Sequence, residues 1–288
     1  GALFVRNGFD RNASDELAFV ASDLPSHGVT CDGDEFFGSR HSWAAPSALA
    51  AIGLSDHVGP NAQPCAIYQV HIDLQFNEAR EFHFTLGAAK NRQAATDLIN
   101  ESRKPEWVDQ SHAALQRQWD SLLGAWQVKT PDIATDAMVN RWLLYQVISS
   151  RLWGRIGFYQ ASGGFGFRDQ LQDVLALLDS NPEAAREQIL IAASRQFEEG
   201  DVLHWWHESP LRGVRTRCSD DLLWLAYAVA EYIDVTDDVA ILHDTAPFLQ
   251  GEPLGQHELE RYAEYQASPG FASVYEHCHR AIDERLTF

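Results

Sequence analysis

Positive charge is scarce in this chain. Its 288 residues carry 22 Lys and Arg against 41 Asp and Glu, a formal net charge of -19. Such a surface repels phosphodiester backbones and anionic lipid headgroups, although a local basic pocket can still hold one small anion. Nucleic acid is therefore excluded as a partner, and we expect no membrane contact by this segment. Cysteine is also sparse: Cys31, Cys65, Cys218 and Cys278 are scattered, with no CxxC spacing. That is not the dense framework of a small secreted domain, and it favours reduced thiols and a cytoplasmic location. No apolar run approaches the roughly 18 to 20 residues that span a bilayer. The start, "GALFVRNGFDRNASDE", lacks the basic-then-apolar order of a secretory signal. G-x-S-x-G, Walker, kinase and H-E-x-x-H patterns are absent as well.

What is present changes period part-way along. Residues 66–74, "AIYQVHIDL", alternate Ala66, Tyr68, Val70, Ile72 and Leu74 with Ile67, Gln69, His71 and Asp73, as a strand with one buried face does. "REFHFTLG" follows with Phe82, Phe84 and Leu86 on one side, and the short polar link "NEA" predicts an antiparallel hairpin. The first 90 or so residues thus read as mostly β. Residues 112–288 read as helical almost throughout. Asn181 and Pro182 predict the start of one helix, Ser219 a second and Ser268 with Pro269 a third, each followed by apolar residues at three- and four-residue steps. Such a series fits an α/α toroid or barrel.

One junction between loop and helix concentrates chemistry. In "GGFGFRDQLQDVLALL", Leu171, Val174, Leu175 and Leu178 form an apolar stripe, which leaves Asp169 and Asp173 together on another face. Gly163, Gly164 and Gly166 allow close approach of the backbone just before them. Asp169 equally fits the ordinary role of an acid in a first helical turn. A second stretch, "EEGDVLHWWHESPLRGVRTRCSDD", gathers Trp205, Trp206, Arg212, Arg215, Arg217, Asp220 and Asp221. Flat aromatic faces with guanidinium and carboxylate groups at the rim suit a polyhydroxylated ring. For His204 and His207 of "HWWH" we expect no metal, because no compact third ligand accompanies the pair. Trp119, Trp126, Trp142 and Trp224 read as core or interface residues.

Taken together, "LLGAWQVKTPD", "NRWLLYQVISSRLWGRIGFYQASGGFGFRDQLQD", "ASRQFEEGDVLHWWHE" and "GVRTRCSDDLLWLAYAVAEYI" resemble the glycoside phosphorylases of glycoside hydrolase family 94. Within the family they are most similar to the phosphorylase-like region of cyclic β-1,2-glucan synthases and to 1,2-β-oligoglucan phosphorylases. The resemblance implies the C-terminal part of a β-sandwich over residues 1–90, a helical linker over 91–127 and part of an (α/α)6 barrel over 128–288. It implies Asp169 as general acid, with inorganic phosphate as co-substrate and no other cofactor. It places Phe167 beside the sugar; from the residue chemistry of the two stretches we add Arg168, Asp173, Trp205, Trp206, Arg217 and Asp220 as substrate contacts. An acid followed by Arg precedes "EFLG" in the family; here "CDGDEFFGSR" leaves Asp32 and Asp34 both eligible, and the nearest arginine is Arg40. The acid must hold a proton at neutral pH, which we expect burial, Asp173 and incoming phosphate to promote.

The family's phosphate-holding His and Thr-Gly elements fall after "IDERLTF", so the resemblance implies a piece of a larger protein, such as the cytoplasmic part of a membrane-bound synthase. It also implies an oligosaccharide or β-glucan ligand and allows a homodimer. Two alternatives stand beside phosphorolysis: a non-catalytic carbohydrate-binding or scaffold region, and an inverting hydrolase, which needs a second carboxylate roughly 6.5 to 9.5 Å from the first.

Overall fold

The computed structural model describes residues 1–8, 15–39, 42–60, 62–125, 127–155, 163–208 and 211–286. Chain contacts divide it into two compact units, Gly1–Ala114 and Leu115–Phe288.

In the first unit, β1 (Ala2–Val5), β2 (Leu17–Ser22), β3 (Gly28–Asp32), a short α1 (Gly33–Phe37), β4 (Pro64–Gln69) and β5 (Phe84–Ala89) precede α2 (Arg92–Ser102) and α3 (Trp107–Leu123), which runs on past the boundary. Two antiparallel assemblies result: a sheet in the order β1-β2-β5 and the pair β3-β4. Leu17, Phe19 and Ala21 alternate along β2 and are buried against Ala95 and Ile99 of α2. Asn91 caps α2 by accepting a hydrogen bond from the Ala94 amide at 2.9 Å.

The expected hairpin between residues 66–74 and 80–87 is not formed. Its two strands exist, but β4 pairs with β3 and β5 pairs with β2, and residues 70–83 make no ladder. Alternation marks a strand without naming its partner. The buried face is also reversed: Phe84 and Leu86 are exposed, while Thr85, Gly87 and Ala89 turn inward. Small residues are needed there because the Phe19 ring occupies the space over Gly87.

The second unit opens with α4 (Ile133–Ala137) and α5 (Leu143–Gln146), each of which continues into π-helical turns, Met138–Trp142 and Val147–Trp153. Then follow β6 (Phe165–Gly166), α6 (Phe167–Leu175), α7 (Pro182–Ala193), β7 (Leu203–Glu208), β8 (Leu211–Thr216), α8 (Leu223–Thr236), β9 (Thr245–Gln250), β10 (Glu260–Glu264), β11 (Gln266–Ser273) and α9 (Val274–Leu286). The strands form a four-stranded antiparallel sheet in the order β10-β8-β7-β6 and a pair β11-β9. One apolar core draws on α6, α7, α8 and α9 together with Phe165, Leu203 and Trp206 of the sheet, and a smaller one joins Leu123, Leu144, Ile148 and Leu177.

This half is mixed helix and sheet rather than helical almost throughout. "LHWWHE" and "LRGVRT" hide their alternation because Trp and Arg occupy the inward face as well as the outward one. The cap expected at Asn181 is present, with its side chain accepting from the Ala184 amide at 3.2 Å. The cap expected at Ser219 is not: α8 begins at Leu223 after a turn whose carbonyls, from Asp220 and Asp221, receive the Leu223 and Trp224 amides. Ser268 and Pro269 lie inside β11, and α9 begins at Val274 with Ser273 accepting from Glu276 N.

Candidate active site

Asp169 occupies the first turn of α6, whose N-cap residue, Gly166, offers no side chain to the helix. The carboxylate folds back over that residue: a methyl group at Gly166 would lie 3.2 Å from Asp169 Oδ2. Gly164 is constrained from the other side, since a side chain there would come within 2.5 Å of the Trp205 indole nitrogen. Gly163 adopts a left-handed φ of 69°, and Arg155 donates to its carbonyl at 2.9 Å while stacking on Phe165. The glycines thus let the indole close on Gly164 and the carboxylate on Gly166, two residues apart.

Arg151, on the second π-helical segment, serves both acids of this helix. Its Nε donates to Asp173 Oδ2 at 2.9 Å and its Nη2 lies 3.6 Å from Asp169 Oδ2. π turns displace side chains from the α-helical register and recur at functional sites. Burial falls on Asp173, 17% exposed, rather than on Asp169, 46% exposed. Burial pushes the Asp173 carboxyl up to about 6, with Asp169 adding to the rise and Arg151 opposing it. The burial expected around the candidate acid therefore lies four residues further on, one helical turn away.

Arg168 turns from α6 toward the start of α8 and donates to Asp220 Oδ2 at 2.9 Å. That hydrogen bond holds Asp220 below the ordinary carboxylate range. Beside it, His204 of β7 meets the buried Asp221 at 2.5 Å, and this partner raises the imidazole above its usual value, with Asp169 contributing to the same rise.

The register of the sheet explains which aromatic groups are available. Gly166, Trp205, Val214 and Tyr262 form one transverse row, and Phe165, Trp206, Gly213 and Ala263 form the next. Adjacent rows face opposite ways. Trp205 and the exposed Tyr262 therefore share the face that begins at Gly166, with ring centroids 6.3 Å apart. Trp206 is fully buried, stacked on Phe165 at 5.3 Å and hydrogen-bonded to Glu208.

Of the residues singled out in the sequence, Asp169, Arg168, Asp173, Trp205 and Asp220 come together around the start of α6. Phe167 and Trp206 do not present a face to a ligand in this unit; both are core residues, at 1% and 0% exposure. Arg217 is spent on the carbonyls of Leu254, Gly255 and Glu258. Arg215 is buried between Asp201 and Glu199. In the first unit Asp32 caps α1 by accepting from Asp34 N at 2.8 Å, whereas Arg40 and Trp126 lie outside the described residues. Arg151 and Tyr262 were not anticipated. Their only sequence signal is an arginine near a helix end and a tyrosine in a short alternating run, neither of which names a partner.

A family model for the glycosyl hydrolase 94 catalytic domain matches residues 118–288, and one for the supersandwich domain of the same family matches residues 1–105. The chain belongs to the glycosyl hydrolase 94 superfamily. Among similar proteins, the cyclic β-(1,2)-glucan synthase NdvB of Rhizobium meliloti (strain 1021) is 39% identical over 98% of this chain and 10% of its own length. An N,N'-diacetylchitobiose phosphorylase of Vibrio proteolyticus is 26% identical over 92% of this chain and 34% of its own. A 3-O-β-D-glucopyranosyl-β-D-glucuronide phosphorylase of Paenibacillus borealis is 23% identical over 93% and 32%. The chain thus spans about a tenth of the glucan synthase and about a third of the phosphorylases. The β-sandwich and the mixed helical region of this glycosyl hydrolase 94 member lie in the order the resemblance implied, and no helix among its described residues is long and apolar enough to cross a membrane.

Proposed function

We propose that this glycosyl hydrolase 94 chain carries the acid half of an inverting glycoside phosphorylase acting on β-1,2-linked glucooligosaccharides, within the framework of a partial (α/α)6 barrel. The observation that carries the reading is the placement of Asp169, a half-exposed carboxyl at a helix start, ion-paired to Arg151 and packed over Gly166, two residues after the Gly164 that the Trp205 indole covers. The names of the relatives support both the phosphorolytic chemistry and a β-1,2 linkage.

In the proposed reaction a phosphate oxygen attacks the anomeric carbon as the glycosidic C–O bond breaks. Asp169 transfers its proton to the departing oxygen. The products are glucose 1-phosphate of inverted anomeric configuration and an oligosaccharide shorter by one residue. Only one protein carboxyl is needed, because phosphate replaces the base-activated water of an inverting hydrolase. Asp173 is not a second catalytic carboxylate in this scheme; its ion pair fixes Arg151, which orients Asp169. Trp205 and Tyr262 supply the apolar platform for a sugar ring, and Arg168 with Asp220 forms a hydrogen-bonding rim.

Incubating the full-length protein that contains this chain with β-1,2-glucooligosaccharide, with and without phosphate, tests the proposal. Glucose 1-phosphate is expected only with phosphate, and Asp169→Asn should lower its formation by at least about 100-fold, the lower end of what a general acid contributes. Sugar release that ignores phosphate would point to a hydrolase. Oligosaccharide binding without turnover by the wild type would point to a scaffold.

A further inference from the structure

A second cluster of chemistry-bearing side chains stands next to, but apart from, the Asp169 carboxyl. His204 leaves β7, Cys218 lies two residues beyond β8, and Asp221 sits in the turn before α8. One donor atom from each lies within 4.8 Å of the others. Asp221 is only 2% exposed, and while its Oδ2 meets His204 Nδ1 at 2.5 Å, its Oδ1 is buried without a hydrogen-bond partner. A buried carboxylate oxygen left without a donor or cation is costly, and native structures rarely tolerate one without a reason.

We infer that His204, Cys218 and Asp221 form a binding site for one divalent cation of borderline softness, Zn2+ in particular. The donor set supplies the argument for the metal. A thiolate, an imidazole and a carboxylate together suit Zn2+, whereas Mg2+ and Ca2+ take oxygen donors. Tetrahedral zinc with ligands at about 2.0 to 2.3 Å separates its donors by about 3.3 to 3.8 Å, a span this cluster encloses. Reaching it requires the His204 nitrogen to move about 1 Å from Asp221, and a donor pair at the 4.8 Å limit to close by about 1 Å. His204 has that freedom, since its side chain is 51% exposed.

Three protein ligands leave a fourth position for water. Entry is open past the exposed imidazole, and Cys218 and Leu222 also help to line a cavity of about 400 Å3. On binding, the Cys218 thiol proton is released to solvent, His204 ligates through an unprotonated nitrogen, and the orphaned Asp221 carboxylate gains a cation.

The expected absence of a metal at "HWWH" considered the wrong pair. His207 packs against the Trp205 ring instead. The missing ligands come from 14 and 17 residues further on, brought back by the β7-β8 hairpin. A bound ion would also pull the Cys218 sulfur from Asp220, to which its thiol donates at 3.4 Å, leaving that carboxylate to Arg168 and the Trp224 indole. The site does not depend on Asp169 being a general acid.

Titrating the metal-free, reduced 288-residue chain with Co2+ and then Zn2+ tests it. One equivalent of Co2+ should produce the near-ultraviolet thiolate-to-cobalt charge-transfer absorption, and Zn2+ should displace it. Cys218→Ser should abolish that band, and His204→Ala should weaken Zn2+ binding at least about tenfold. A Cys31→Ser/Cys65→Ser double variant should retain both, which separates the site from the neighbouring thiols of β3 and β4. The wild-type titration stands whether or not a variant folds. No charge-transfer band in the wild type, or a band unchanged in a folded Cys218→Ser, overturns the proposal.

Discussion

At the scale of single residues, position along the chain and position in space diverge most at Asp173. Its folded-state pKa, about 6, lies above the ordinary 3.8 because its side chain is largely buried. The protonated carboxyl therefore favours the folded chain. That contribution is complete below about pH 4 and is lost as the pH rises through about 6. Asn at this position cannot ionise, so Asp173→Asn should gain roughly 2 to 3 kcal/mol relative to wild type between pH 4 and pH 7. Urea denaturation of both proteins at several pH values across this window checks it, and a constant difference would contradict it. Gly164→Ala is expected to destabilise by about 1 to 3 kcal/mol, since its methyl group meets the Trp205 indole. A shift in intrinsic tryptophan fluorescence should accompany the loss. Asp169 stood out as a candidate because its string resembles one specific to a family. Arg151 was not, because nothing in "SSRLWGR" says which acids, 18 and 22 residues on, it will serve. Trp205 and Trp206 look alike in the sequence, and only the side of the sheet each occupies makes one a surface and the other core.

At the scale of elements, caps were readable where the side chain itself satisfies the helix start. Asn181 before Pro182 is such a case, and Asn181→Ala should cost about 1 kcal/mol in thermal or urea denaturation while leaving the fold intact. The start of α8 was misread because its two acids are engaged elsewhere. Asp220 accepts from Arg168 and Asp221 from His204, so the turn is closed by backbone carbonyls instead. The strands β7 and β8 were passed over for a related reason. Their inward residues include Trp206 and Arg215, and Arg215 is buried with Asp201 gripping it by two hydrogen bonds, Glu199 by a third and the Gly251 and Glu252 carbonyls by two more. Arg215→Met should consequently destabilise by about 3 to 5 kcal/mol, the usual result of stripping one partner from a buried ion pair. Equilibrium unfolding measures it; a variant as stable as wild type would mean that Asp201 finds another partner.

At the scale of the whole molecule, the charge imbalance acts on stability as well as on partner choice. With a net charge of -19, like charges repel across the folded surface. Raising NaCl from about 10 to about 150 mM shortens the screening length from about 30 to about 8 Å. The melting temperature should rise over that range, and a fall would mean that the surface ion pairs outweigh the repulsion. Composition by itself determined this charge, and the order of residues determined a strand-rich first stretch followed by helix starts such as that at Asn181. A family-specific string determined the candidate acid. Only the tertiary structure decided which strands pair, which face of β5 is buried, and that Arg151, Tyr262, His204, Cys218 and Asp221 belong to the neighbourhood of α6. The physical reason is range: periodicity and capping are set by residues a turn or a pleat apart, whereas strand partners and ion pairs are chosen by whatever the folded core leaves within about 3 Å.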